Sequence, residues 1–215
     1  MSETSPIVYI VDDDEATRAY FSTALSSANL TCRTVESAQM FLDAYDPQQP
    51  GCVLLDVQMP GMTGLELQQQ LNMRGAIIPV IFISGFAEVP VAVEALQQGA
   101  FGFLQKPLSR ETLLTHVRKA LDHDAANRAE LQEREQMVQR FHALTPRERE
   151  VLLLLVEGRS NKLMANQMQL SQRTIELYRA RVMEKTGSRS LAQLVRMAME
   201  LQVIPAASRP SAATH

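Results

Sequence analysis

The sequence predicts an α/β domain with a doubly wound, five-stranded parallel sheet, then a long helical linker and a small all-α domain of four helices. Three observations lead to this prediction. Five short, continuously apolar segments alternate with amphipathic segments through residue 121, a helical pattern then runs on without Gly or Pro, and new helix-start signals follow residue 144. At 215 residues, the chain is long enough for two small domains.

The five apolar segments are the predicted strands. They span residues 7–11, 31–35, 52–55, 80–84 and 101–104. Apolar residues that run continuously rather than alternating imply burial on both faces, as in a parallel sheet covered by helices. Between the strands lie helix-length segments with apolar residues three and four apart, such as Val93, Leu96 and Ala100. The first domain, residues 6–121, is therefore predicted to consist of five βα units.

A long helix is predicted to join the two domains. Its pattern begins at Ser109 and meets no Gly or Pro before Pro146, so we expect it to continue through a linker at residues 122–143. The apolar residues of this linker are too sparse to predict a coiled coil. A semi-rigid helical connection is therefore expected.

The second domain, residues 144–204, is predicted from its helix caps. Thr145 is a predicted N-cap, Pro146 occupies the first helical position, and Glu148 completes a capping box. Further helices are predicted over residues 161–168, 171–185 and 190–201. The remaining tail, residues 205–215, is expected to be disordered because it is rich in Ala, Ser and Pro.

The net charge of −3 conceals a difference between the two ends of the chain. Residues 1–121 carry 7 basic and 13 acidic side chains, whereas residues 144–215 carry 11 basic and 6 acidic ones. The basic end is the candidate for binding a polyanion such as nucleic acid. No apolar run approaches the ~18 residues that cross a bilayer, and the first residues do not resemble a signal peptide. A cytoplasmic protein without a membrane partner is expected.

The two cysteines predict neither a disulfide nor a zinc site. Cys32 and Cys52 lie in separate apolar segments, and neither has a second Cys or a His at metal-ligand spacing. Both are therefore expected to be buried thiols.

Charged residues follow three of the predicted strands. Asp12, Asp13 and Asp14 come directly after the first strand, Asp56 ends the third, and Lys106 follows the fifth. In a doubly wound sheet these strand ends meet where the winding direction switches, so the acids and the lysine should converge. Clustered carboxylates without histidine suit a hard cation such as Mg²⁺ or Mn²⁺. The alternative is that these acids only cap the following helix and loop.

The motifs around these residues resemble the receiver domain of bacterial response regulators, which has a flavodoxin-like fold. They are Val11-Asp12-Asp13-Asp14, the segment 56–64, Ser84-Gly85 and the segment 103–107. The resemblance implies that Asp56 accepts a phosphoryl group from a sensor histidine kinase. It implies a metal site made by Asp13, Asp56 and the Gln58 carbonyl, with Asp12 acting through a metal-bound water. It further implies that Ser84 and Lys106 contact the phosphoryl oxygens and that Phe103 takes the place of a frequent switch tyrosine.

The alternative for this domain is a phosphatase similar to the haloacid dehalogenases, which place a nucleophilic aspartate after their first strand. That family needs a cap and further acids late in the domain, whereas here the additional acid ends the third strand. The chain is therefore not expected to be an enzyme, beyond accepting a phosphoryl group and slowly losing it.

A second set of motifs lies in residues 144–200, and it consists of the segment 144–152, Asn161-Lys162, Leu170-Ser171 and the segments 173–176 and 182–185. These motifs resemble the LuxR-type helix-turn-helix domain, and its pairing with a receiver is that of the FixJ/NarL family. Laid out at ~100° per residue, the third helix places Ile175, Val182 and Thr186 on its core face. Its opposite face could read the major groove of DNA. The residues expected to contact DNA are Lys162, Ser171, Arg173, Thr174, Glu176, Leu177, Ala180, Arg181 and Lys185.

Together these features predict a transcription regulator switched by phosphorylation. The resemblance implies a homodimer formed on phosphorylation through the fourth helix, around Val91 and Ala95, with double-stranded DNA as ligand and RNA polymerase as a further candidate partner. Two alternatives stay open. The receiver could be a constitutive dimerisation module, or the output could bind RNA, although the sequence offers no aromatic stacking platform.

Overall fold

The five predicted strands form one parallel sheet. The structure is a computed structural model that describes residues 5–85 and 89–201. The strands, numbered in chain order, lie side by side in the order β2-β1-β3-β4-β5. They are β1 (Ile7–Val11), β2 (Thr31–Val35), β3 (Gly51–Asp56), β4 (Val80–Ser84) and β5 (Gly102–Gln105). The predicted α/β class and strand positions are confirmed, with β3 one residue longer at each end and β5 shifted by one.

Helices cover both faces of the sheet. They are α1 (Glu15–Ser26), α2 (Ala38–Ala44), α3 (Gly64–Met73), α4 (Val89–Gln97) and the first part of α5 (Arg110–His142). One core layer contains Tyr9, Phe41 and Phe82, and the other contains Leu25 and Leu113. Double coverage explains the continuously apolar strands.

The edge strand β2 departs from that pattern, because Val35 is its only buried residue. The prediction of two buried cysteines is accordingly wrong for one of them. Cys32, on β2, is only half-buried, whereas Cys52, on the central strand β3, is buried. Burial raises the pKa of the Cys52 thiol to about 12. A strand at the edge of a sheet has a neighbour on one side only, so its side chains keep more contact with water.

Helix α5 is continuous over 33 residues, as predicted for the linker. The chain forms two compact units that divide between Ala129 and Glu130, so the division lies inside this helix. Each end of the predicted linker packs into one of the two units. Asp124 is buried in the first unit and Phe141 in the second. Within the described ranges, no helix combines the length and apolar character needed to span a membrane.

The second unit contains four short helices after α5. They are α6 (Pro146–Val156), α7 (Asn161–Met168), α8 (Gln172–Thr186) and α9 (Leu191–Glu200). Each has a Thr or Ser N-cap, and α6 has the predicted capping box of Thr145 and Glu148. Val151, Met164 and Leu194 pack together in the core of this unit. The tail predicted to be disordered lies outside the described residues.

Candidate functional site

The acidic residues and the lysine converge at the C-terminal edge of the sheet, as predicted. Asp12 follows β1, Asp56 ends β3 and Lys106 follows β5. The Lys106 ammonium lies 2.8 Å from Asp12 Oδ2 and 2.8 Å from Asp56 Oδ1, so a single cation links the two carboxylates. The Lys106–Pro107 peptide bond is cis.

Asp56 is largely enclosed but is more exposed to solvent than Asp12, its neighbour in the cluster. Its exposure is 9%, and its second oxygen, Oδ2, accepts a hydrogen bond from the Gln58 backbone N–H at 2.7 Å. Burial raises the pKa of the Asp56 carboxyl above its ordinary value, and the hydrogen bond from Lys106 opposes that rise. Burial lowers the pKa of Lys106, but its hydrogen bonds to Asp12 and Asp56 outweigh burial and the pKa is raised. Lys106 therefore stays charged beside the carboxylates.

The loop after β1 holds three acids in different settings. Asp12 is buried, and its Oδ1 accepts a hydrogen bond from the Asp14 N–H at 2.9 Å. Asp14 is the N-cap of α1, where it accepts hydrogen bonds from the Thr17 N–H and hydroxyl. The cap interpretation is thus correct for Asp14, whose pKa is lowered by those bonds to Thr17. Asp13 is exposed beside them.

Arg18 also contributes to this loop, and the sequence analysis missed it. Its guanidinium donates a hydrogen bond to the Asp12 backbone carbonyl at 2.7 Å. Arg18 lies one turn into α1, so helical spacing from the N-cap Asp14 could have indicated that its side chain reaches back toward the acids.

The oxygen donors of the cluster fit a divalent cation in their chemistry. Asp12 and Asp56 bring two negative charges against one ammonium, and Asp13 adds a third acid at the rim. Hard oxygen ligands are those that Mg²⁺ prefers. No group of three or more His, Cys, Asp or Glu side chains among the described residues is already arranged as a metal cage.

Ser84 and Phe103 lie beside the cluster on β4 and β5. Ser84 is 5% exposed, and its backbone carbonyl accepts a hydrogen bond from the Lys106 N–H at 2.7 Å. Phe103 is half-buried, with its ring centroid 6.3 Å from that of Phe82. Part of the segment after Ser84, residues 86–88, lies outside the described residues.

The predicted dimer face on α4 needs correction. Ala95 is fully buried and Val91 is half-buried against the core, so these two residues do not form an exposed surface. The exposed apolar residues of α4 are Val89, Val93 and Leu96, with exposures of 73%, 46% and 50%. Their spacing of four and three residues places them along one side of the helix. We refer to these three residues as the α4 stripe.

The outward face of α8 has the composition that the sequence predicts. Ile175, Val182 and Thr186 are fully buried, which fixes the helix orientation within its unit. Ser171 caps α8, and its hydroxyl accepts a hydrogen bond from the Thr174 N–H at 3.1 Å. Thr174 is half-buried. The exposed candidates for DNA contact are Ser171, Arg173, Glu176, Leu177, Ala180 and Arg181 on this helix, with Lys162 on α7.

Lys185, which is predicted to contact DNA, forms an ion pair within its own unit. Its ammonium lies 2.7 Å from Glu148 Oε2, and the Glu148 side chain is only 3% exposed. This bond from Lys185 lowers the pKa of Glu148. Lys185 therefore joins α8 to the start of α6 instead of extending freely toward a ligand. Arg179, also on α8, donates a hydrogen bond to Asn161 Oδ1 on α7.

Two family models match the chain in separate segments. One is described as the response regulator receiver domain and matches residues 8–118. The other is described as bacterial regulatory proteins of the luxR family and matches residues 142–198. The first segment contains the carboxylate cluster, and the second contains α6 to α8 and most of α9.

Curated relatives and solved structures match almost the whole chain. Transcriptional regulatory protein FixJ of Azorhizobium caulinodans is 43% identical over 206 residues, covering 96% of this chain and 97% of the relative. Response regulator protein TodT of Pseudomonas putida F1 is 35% identical, with coverage of 94% and 89%. The low-resolution structure of response regulator StyR has a TM-score of 0.82 at 37% identity, covering 91% of this chain and 99% of that one. Full-length FixJ from B. japonicum has a TM-score of 0.57 at 37% identity, with coverage of 94% and 100%.

Proposed function

Because the chain belongs to the FixJ-type response regulators, which join a receiver domain to a LuxR-type DNA-binding domain, we propose that phosphorylation of Asp56 controls its binding to double-stranded DNA. The observation that carries this proposal is the Lys106 ammonium held at 2.8 Å from both Asp12 and Asp56. It places a positive charge beside two enclosed carboxylates, one of which is Asp56, in a domain of matching family.

Asp56 has the properties of a nucleophile for phosphoryl transfer. One carboxylate oxygen attacks phosphorus in line with the leaving group, forming a new P–O bond as the P–N bond to the donor histidine of a sensor kinase breaks. The histidine nitrogen takes the electron pair of that bond. Lys106 lies where its charge can offset the negative charge on the transferred group. Asp56 attacks as the carboxylate, so no separate general base is required.

Mg²⁺, or Mn²⁺ in its place, would supply further charge neutralisation in this site when bound. The residues that would hold it are Asp13, Asp56 and the Gln58 carbonyl, with Asp12 acting through water. Support comes from the donor chemistry, since two carboxylates already share one ammonium and a third lies at the rim.

Asp13→Ala is expected to weaken Mg²⁺ binding on the order of 10-fold or more, because a direct carboxylate ligand is removed. Titration calorimetry of the unphosphorylated protein with MgCl₂ measures this. Glu15→Ala is the matched control, since it removes another exposed acid two residues further along. Equal affinity in wild type and Asp13→Ala would mean that Asp13 is not a ligand.

The C-terminal domain is proposed to read the major groove with α8. Arg173 and Arg181 can pair with guanine, while Leu177 and Ala180 can meet thymine methyl groups. Lys162 is the proposed phosphate contact, and the amides that follow the cap at Ser171 can hold another phosphate. Lys185 is left out of this set because it is bonded to the buried Glu148.

Lys162→Ala is expected to remove a contact with DNA, whereas Lys185→Ala is expected to remove a bond inside the protein. Lys162→Ala should reduce the slope of log K against log salt by ~0.9, the value for one phosphate contact. Lys185→Ala should leave that slope unchanged and lower the free energy of unfolding by about 1–2 kcal/mol, because a buried carboxylate loses its partner; the partial exposure of Lys185 keeps this loss modest. Binding at several salt concentrations and urea unfolding measure the two effects. A slope change in Lys185→Ala would return that residue to the DNA interface.

Phosphorylation is proposed to act through dimerisation at the α4 stripe. The Ser84 hydroxyl would bond to the phosphoryl group and the Phe103 ring would turn inward, shifting α4 toward a conformation that pairs with a second subunit. Val89, Val93 and Leu96 supply an exposed apolar side for such a symmetric contact. Phosphorylation shifts this equilibrium only by its different contacts in the two states, so partial dimerisation without it is expected.

One experiment, with three measurements on the same sample, tests the proposed function. The full chain is treated with acetyl phosphate and Mg²⁺, and its mass, oligomeric state and binding to a DNA fragment selected from random sequence are then measured. We expect one added phosphoryl group, a dimer and tighter DNA binding. Unchanged DNA binding by fully phosphorylated protein would favour the receiver as a constitutive dimerisation module, and turnover of a generic phosphate ester would favour a phosphatase.

A further inference from the structure

A buried ion pair ties the middle of α5 to the end of the sheet opposite Asp56. Asp124 is 1% exposed, and its Oδ2 accepts hydrogen bonds from the Gly51 N–H at 2.9 Å and from Arg128 Nε at 2.8 Å. The other oxygen, Oδ1, has no hydrogen-bond partner among the described residues. Arg128 is therefore the cation that compensates this buried charge.

Arg128 fixes the chain segment that leads into β3. Its two terminal nitrogens donate to the backbone carbonyls of Pro47 at 2.9 Å and Gln49 at 3.0 Å. A guanidinium suits this arrangement because its planar fork presents donors in fixed directions. With Asp124 bound to Gly51, the pair holds three backbone groups between residues 47 and 51. We call Asp124 and Arg128 the α5 anchor.

The α5 anchor lies beyond the part of the chain that both the family model and the sequence prediction assign to the receiver. The family match ends at residue 118, and the predicted domain ends at 121. Helix α5 nevertheless belongs to the first unit through Ala129. Residues 129–136 are all exposed, and the helix then enters the core of the second unit with Met137 and Phe141. Each unit thus holds one end of the same helix.

Strand β3 connects the α5 anchor with the phosphoacceptor. Gly51 is its first residue and Asp56 its last, and at 3.3 Å per residue they lie ~17 Å apart. All six residues of β3 are buried, so the strand is held on every side. Position 51 also requires glycine, since a Cβ there would lie 2.0 Å from the Ile7 carbonyl oxygen.

We propose that the α5 anchor couples the phosphorylation state of Asp56 to the C-terminal domain by fixing the linker helix to the far end of β3. The proposal rests on the proposed function above. In it, Asp124 and Arg128 are positioning residues: they do not touch the phosphoryl group, but they make residues 122–129 of the helix part of the receiver. The helix that enters the second unit is thereby fixed to the sheet that carries Asp56, and loosening the anchor uncouples the helix from the receiver.

The test compares buried and exposed charges of the same helix in the full-length chain. Asp124→Asn and Arg128→Gln remove the anchor pair, while Asp122→Asn and Arg134→Gln make the same charge changes at exposed positions. Each protein is phosphorylated with acetyl phosphate and Mg²⁺, and its phosphorylation is followed by intact mass. Binding to the selected DNA fragment is measured before and after phosphorylation, and amide hydrogen exchange is measured over residues 121–136.

We expect all five proteins to reach the same degree of phosphorylation, because the anchor lies at the other end of β3. Wild type and the two controls should gain about fivefold or more in DNA affinity on phosphorylation, a typical coupling. The anchor variants should lose most of that gain and exchange the amides of 121–136 on the order of tenfold faster. If Asp124→Asn fails to fold, Arg128→Lys, which keeps the charge and removes the fork, replaces it.

Four results would overturn the inference. Anchor variants that keep the wild-type gain, or that show unchanged exchange over 121–136, contradict it alone. Controls that lose the gain as completely as the anchor variants also contradict it, since any charge change on α5 would then suffice. A wild type that gains nothing on phosphorylation contradicts the proposed function, and the inference with it.

Discussion

Asp56→Asn is expected to abolish phosphorylation of this protein completely while preserving its fold. The substitution removes the nucleophilic oxygen but keeps the size of the side chain and its ability to accept the Gln58 N–H. It also removes the negative charge that Lys106 compensates, so Asp12 becomes the sole carboxylate bonded to that ammonium. Intact mass after treatment with acetyl phosphate and Mg²⁺ should show no adduct, and circular dichroism should match the wild type.

Asp14→Asn is the control for Asp56→Asn. Asp14 is an aspartate of the same acidic region, but it caps α1 and is exposed. Its substitution should leave the phosphorylated fraction at the wild-type level, since Asn is also a good N-cap. If the Asp56→Asn protein is folded and still carries a full phosphoryl adduct, another residue is the acceptor.

Val93→Asp is expected to prevent dimerisation of the phosphorylated protein. Val93 is the central residue of the α4 stripe, and a symmetric contact would bring two of the new carboxylates together in an apolar environment. Isolated charges are strongly disfavoured in such surroundings. Since Val93 is 46% exposed, the substitution should leave the monomer folded and Asp56 available. We expect the dimer to weaken on the order of 100-fold or more, about 2.7 kcal/mol by the usual conversion.

Sedimentation of the phosphorylated proteins measures that effect, with Met73→Asp as the control. Met73 lies at the end of α3 and is 79% exposed, so the same kind of charge enters away from the α4 stripe. This variant should dimerise like the wild type. A Val93→Asp protein that still forms dimers would exclude the α4 stripe as the contact. A wild type that binds DNA more tightly while remaining monomeric would point to release of the C-terminal domain from an inhibitory contact.

The carboxylate site could be predicted from the sequence because it depends on short-range patterns. Three of the apolar strands end at, or shortly before, a charged residue, and in a parallel sheet such strand ends share one edge. The positions of Asp12, Asp56 and Lys106 follow from that rule alone. Helix starts in the second unit could also be predicted from local sequence, because Thr145 and Ser171 are the N-caps of α6 and α8 in the structure.

The face of α4 could not be predicted in the same way. This helix carries apolar residues on nearly all sides, so its periodicity does not distinguish the side that meets the sheet from the side that meets solvent. Ala95 was placed on the wrong side for this reason. Fixing the orientation needs the neighbouring contacts of α3 and β5, which are separated from α4 in sequence.

Long-range bonds of charged side chains were missed for a related reason. Lys185 and Glu148 are 37 residues apart, and Asp124 meets the Gly51 N–H across 73 residues. Nothing local to either pair distinguishes these charges from ordinary solvated ones on a helix. Only the packing of α8 on α6, and of α5 on the sheet, brings them together.

The hydrogen bond between Asp124 and Gly51 limits where this chain can be divided when domains are exchanged between regulators. A hybrid that ends its first segment at residue 121, and continues with another protein's linker, would leave the buried Gly51 N–H without its acceptor, at a cost of ~1–3 kcal/mol. Joining the foreign segment after Ala129 would retain that bond and both carbonyl contacts of Arg128. The modular unit of this chain, in the sense relevant to recombination and to chimera design, therefore extends about three helical turns past the end of the matched receiver sequence.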